Sequence, residues 1–131
     1  MNFVKTAMFA MVALAGGTAF AHHSITGQFD VSKELKLTGT VSKVEWINPH
    51  IIVHIDVKDA AGKVNTWQLE SVPVAFARKA GLTKERLMAV NQVVTMTCYP
   101  ARDGTAHLGV LFRIDYPDGT FFTMVPQQTR G

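Results

Sequence analysis

The alternation of apolar and polar residues from Ile51 to Val57 is the feature that most constrains the fold of this chain. Every second side chain in this segment is a branched aliphatic one, and such a period of two predicts a strand that is buried on one face and polar on the other. The same alternation occurs from Leu35 to Val41 and from Val64 to Glu70. The first part of the chain therefore predicts three strands.

The apolar positions of the first strand change parity at Val44 and Trp46. One extra residue in a strand turns the following side chains to the other face, and a glycine allows a sharp bend there. We therefore predict that the first strand is long, bent near Gly39 and interrupted by a β-bulge.

A short helical segment separates these strands from a second group. Pro73 precedes good helix formers from Val74 to Ala80, and Gly81 follows at the position where helices commonly end. Thr83 is a suitable cap for a second short turn. Apolar alternation then predicts strands at 93–99, 108–114 and 120–124.

Three strands, a helix and two or three further strands are the element order of an OB-type barrel. The predicted fold class is therefore mainly β: a small OB-like β-barrel of five to six strands with one helical segment between strands 3 and 4. A β-sandwich, or a roll with the helix across an open sheet, is the alternative with the same element order.

The amino terminus has the three parts of a secretory signal peptide. Lys5 is followed by an uncharged apolar segment at 8–15, and Ala19 and Ala21 are the small residues expected at a cleavage site. We predict a signal peptide at 1–21, one OB-like domain at 22–126 and a disordered tail at 127–131. The predicted location is the periplasm, with no membrane anchor after cleavage.

Composition disfavours several classes of function. The net charge is only +3, and no dense Lys/Arg cluster predicts nucleic-acid binding. Cys98 is the single cysteine and alternates with apolar residues, which is typical of a buried position. No serine lies in a nucleophile elbow and no nucleophile lies beside a base, so the sequence favours a protein that is not an enzyme.

Histidines near the predicted cleavage site are the strongest chemical feature. Cleavage after Ala21 would make His22 the amino terminus, where its α-amine and its imidazole form a chelate that suits Cu(II). His23 adds an imidazole, and His50 follows Pro49 in a predicted turn at the barrel rim. The candidate metal ligands are His22, His23 and His50; the candidate supporting groups are Glu45, Asn48 and Glu70.

Trp46 and Trp67 are candidate contacts for a ligand, because indole rings form stacking platforms. Their alternation with polar neighbours also fits residues that pack against the core.

Several blocks together resemble an uncharacterised family of exported bacterial proteins, known as a domain of unknown function. The resemblance spans nearly the whole chain after residue 21 and implies a periplasmic, small barrel-like protein, but it supplies no activity. The blocks that carry it include Ala21-His22-His23-Ser24, Val44-Glu45-Trp46-Ile47-Asn48-Pro49-His50 and Pro100-Ala101-Arg102-Asp103-Gly104.

These observations predict a periplasmic binding module. In one interpretation it binds copper or another transition metal through an N-terminal histidine chelate and the rim residue His50. In the other it is an OB-like module that binds a protein, a glycan or a small ligand without a metal.

Overall fold

The structure is a computed structural model that describes residues 25–124. The predicted signal peptide, His22, His23 and the predicted tail at 127–131 lie outside the described residues. The elements are α1 (Ile25–Gln28), β1 (Leu35–Glu45), β2 (Ile52–Lys58), β3 (Val64–Glu70), α2 (Val74–Lys79), α3 (Lys84–Leu87), β4 (Val93–Pro100), β5 (Leu108–Asp115) and β6 (Phe121–Thr123).

Strands β1–β5 form a closed barrel. The order is β3-β2-β1-β4-β5, with antiparallel neighbours, and a parallel pairing of β3 with β5 closes the sheet. Strand β6 adds to β5 beyond the segment that pairs with β3. The helical segment lies between β3 and β4, so the predicted OB-like barrel is confirmed.

The bend of β1 allows this strand to pair on two sides. Its first half, Leu35–Thr40, pairs with β4, and its second half pairs with β2. The register against β2 shifts between Val41 and Lys43, so the bulge expected from the parity change is present. At Gly39 the backbone of β2 comes so close that a Cβ would overlap the carbonyl oxygen of Asp56.

Helices α2 and α3 and the turn between them contribute apolar residues to the barrel core. Ala77 is fully buried, and Leu82 and Leu87 are almost so. As predicted, Gly81 ends the first helical segment with a positive φ, and the Thr83 hydroxyl accepts a hydrogen bond from the backbone N–H of Arg86.

Arg86 joins α3 to the turn between β5 and β6. Its guanidinium lies 4.2 Å from the ring centroid of Tyr116 and donates hydrogen bonds to Asp118 and Thr120. This contact links the helical segment to the last strands of the sheet.

One element was missed by the sequence analysis. No helix or strand was predicted before β1, but residues 25–33 contain the single helical turn α1, and Phe29 then forms an isolated bridge with Ala101. Phe29 is buried, which explains why this segment is held against the barrel.

Candidate functional site

The outer face of β1, β2 and β3 carries a row of polar side chains. Because the side chains of β2 alternate, Val53 and Ile55 are buried in the core, whereas His54 and Asp56 point to the opposite face. OB-type barrels commonly bind their ligands on this face and on the loops beside it, so this face is a candidate binding surface.

His50 and Glu70 form a close pair at one end of this face. Nδ1 of His50 lies 2.6 Å from Oε1 of Glu70, and both side chains are partly exposed. The next residue, Ile51, is fully buried, and its backbone exchanges hydrogen bonds with Ser71 and Val72. This anchoring fixes the position of His50 relative to the end of β3.

His54 and Glu45 form a second pair on the same face. Nε2 of His54 donates a hydrogen bond of 2.8 Å to Oε2 of Glu45. The other carboxylate oxygen of Glu45, Oε1, lies 3.3 Å from the ammonium group of Lys43. The hydrogen bond from His54, and after it that from Lys43, holds the pKa of Glu45 below its usual value. We refer to His50, Glu70, His54 and Glu45 together as the histidine face.

Asp56 continues the polar row along β2. Its Oδ1 accepts hydrogen bonds from the hydroxyl groups of Ser42 on β1 and Thr66 on β3. The carboxylate therefore joins three strands at the surface, and its role is explained by these contacts.

The predicted supporting residues have different positions. Glu70 contacts His50, whereas Glu45 contacts His54. Asn48 is exposed and precedes Pro49 in a cis peptide bond. The pairing of His54 with Glu45 was not predicted. The alternation of the sequence does place both residues on the outer face of their strands, because each follows a buried valine.

Trp46 and Trp67 are both half-buried and pack against the core, which fits the structural interpretation of these residues. Trp46 also lines an open groove of about 320 Å³ beside the helices. The ring of Trp67 meets that of His107 edge to face, with 5.2 Å between the centroids.

No group of three or more His, Cys, Asp or Glu side chains within residues 25–124 is arranged to hold a metal ion. His22 and His23, the other predicted ligands, are outside the described residues.

Fold and surface together define an OB-type barrel module with paired histidines and carboxylates on its outer face. The family described as "Family of unknown function (DUF6152)" matches residues 10–110, and the chain belongs to this family. The comparisons with curated proteins and with solved structures found no match. Among the described residues, no helix has the length and apolar character needed to span a membrane.

Proposed function

We propose that this protein is an exported, periplasmic module that binds a transition-metal ion, with Cu(II) preferred, at the His50 end of the histidine face. The observation that carries the proposal is the contact between Nδ1 of His50 and Oε1 of Glu70. Histidines that bind metals generally have their other ring nitrogen held by a carboxylate or a carbonyl group. Nε2 is then the metal-binding atom of His50.

His50 alone is an incomplete site, and the proposed remaining donors are the α-amine and imidazole of His22, with His23 beside them. Nitrogen donors of this kind suit Cu(II), and the chelate exists only if the chain is cleaved after Ala21. The same cleavage by the secretion machinery is what the proposed periplasmic location requires.

Intact-mass measurement of the exported protein, isolated natively without added metal, is the first test. We expect a chain that begins at His22 and carries one copper ion. A chain that begins elsewhere, or an apo protein that does not bind added Cu(II), would contradict the proposal.

Two variants then test the ligands by titration with Cu(II). One extra residue before His22 displaces the α-amine from the chelate, and His50→Ala removes the rim ligand; we expect each to weaken binding by about tenfold or more. The matched control is His107→Asn, because asparagine tolerates the positive φ of His107. Unchanged affinity in both ligand variants would exclude this site.

The second candidate function is an OB-like module that binds a protein, a glycan or a small ligand without a metal. The observation that favours it is the position of Trp46, which is half-buried and lines the groove beside α2 and α3. Loss of ligand binding in Trp46→Ala, together with retained Cu(II) affinity, would separate the two candidates.

A further inference from the structure

The groove beside Trp46 has a composition that indicates the class of ligand it would take. Its lining consists of Trp46, Arg78, Leu82, Thr83, Lys84 and Glu85. The apolar part is formed by the half-buried Trp46 and the buried Leu82, and the ionic part is formed by residues at the end of α2 and the start of α3.

Two cations of this lining have no partner in the described part of the chain. Within residues 25–124, neither Arg78 nor Lys84 forms a salt bridge, although both are exposed and lie near each other around one cavity. Glu85 is the single carboxylate of the lining. The groove therefore has an excess of positive charge next to an indole ring.

We propose that this groove binds a small ligand in which one six-membered ring carries a carboxylate group. The ring would stack on or beside Trp46, and the carboxylate would lie between Arg78 and Lys84. A cavity of about 320 Å³ is at the lower end of the range that holds small ligands, which fits a single ring. An acidic sugar and an aromatic acid share this chemistry.

This site is independent of metal binding at the histidine face and gives a ligand class to the second candidate function. The groove is formed by Trp46 and the helical segment, whereas Glu70 and His50 lie at the junction of β2 and β3. Failure of one site therefore does not imply failure of the other.

The indole N–H signals of the full chain provide a direct test by NMR. The sequence has two tryptophans, so Trp67 serves as an internal reference, and Trp46→Phe assigns the two signals. The probes are D-glucuronate and benzoate, with D-glucose and benzyl alcohol as their neutral counterparts. Because the two cations are exposed, we expect dissociation constants on the order of 1 mM.

The proposal expects that at least one anion shifts the Trp46 signal saturably while the Trp67 signal stays in place. Its neutral counterpart should bind about fivefold more weakly or worse, and added salt should weaken the anion. Tighter binding of glucuronate identifies the acidic sugar as the ligand type, and tighter binding of benzoate identifies the aromatic acid.

Substitutions of the charged lining residues add a second test. Removing a cation and removing the carboxylate should change the affinity for the anion in opposite directions. Arg78→Gln and Lys84→Gln should each weaken anion binding by about two- to fivefold, whereas Glu85→Gln should strengthen it. Lys58→Gln, at the far end of β2, makes the same charge change away from the groove and should have no such effect. Equal binding of neutral and anionic probes, equal shifts of both tryptophans, or no saturation with either anion would overturn the proposal.

Discussion

Gly39 in β1 lies directly against the backbone carbonyl of Asp56 in β2, with no space for a Cβ between them. The close approach occurs where β1 stops pairing with β4 and continues along β2. A side chain at this position would push apart two strands that the barrel needs in contact.

We therefore expect Gly39→Ala to lower the free energy of unfolding by about 3 kcal/mol or more, because backbone atoms cannot move aside as a flexible side chain can. The measurement is denaturant unfolding followed by tryptophan fluorescence. Thr38→Ala is the matched control, since it loses only the exposed hydrogen bond to Thr95 and should cost less than about 1 kcal/mol. Equal losses in the two variants would contradict this account of the bend.

Cys98 should react with a thiol reagent only when the barrel opens. Its side chain is fully buried in β4, and this burial raises the pKa of the thiol to about 11. At pH 8 the native protein should therefore resist iodoacetamide for hours, and denaturant should permit one modification per chain. Intact mass measures both. Rapid alkylation without denaturant would show that the core around Cys98 opens locally.

Asp118 should make the stability of the protein depend on acid pH. The hydrogen bonds from the hydroxyl and N–H groups of Thr120, followed by that from Arg86, lower the pKa of Asp118 to about 2. A carboxylate with a depressed pKa stabilises the fold above its unfolded-state pKa, and this stabilisation is lost as the pH falls through the folded-state value.

Asp118→Asn should therefore lower the midpoint of thermal unfolding at pH 7, and its difference from the parent should shrink between about pH 4 and pH 2. Glu34→Gln, at an exposed position before β1, serves as the control for loss of one carboxylate. A difference that stays constant across this pH range would mean that the ionised form of Asp118 is not what stabilises the turn.

Glu70 and Glu45 should differ in their effect on the proposed metal site. Glu70→Gln replaces the carboxylate that contacts His50 with a neutral amide, and we expect Cu(II) affinity to fall by about tenfold. Glu45→Gln changes the partner of His54 and should leave that affinity unchanged. Titration of both variants gives the comparison, and equal effects would show that His50 is not specifically supported by Glu70.

The barrel could be predicted well from the sequence because the signals for its strands, bulge and caps each lie within a short segment of the chain. The alternation at 51–57 and the change of parity at Val44 both follow from the period of a strand, and the structure has the expected strand and bulge. The capping residue Thr83 is likewise a local signal. The parallel pairing of β3 with β5 was not predicted, because only the barrel class followed from the order of the elements.

The site was harder to predict because its contacts are not local. Outward parity placed His54 on the polar face, but its pairing with Glu45 depends on the register of β2 against a bulged strand. Similarly, the groove at Trp46 requires the helical segment to return to the end of β1. Such contacts between distant segments need the three-dimensional structure.

The parallel pairing of β3 with β5 also affects the order of folding events. Residues 64–70 pair with β2, which is close in sequence, but they meet β5 only when residues 108–110 have reached the barrel. Closing contacts between segments so far apart in sequence is slow compared with forming local turns. The folding chain consequently keeps an open strand edge until β5 is in place, so roughly the last fifth of the polypeptide completes its protection from aggregation.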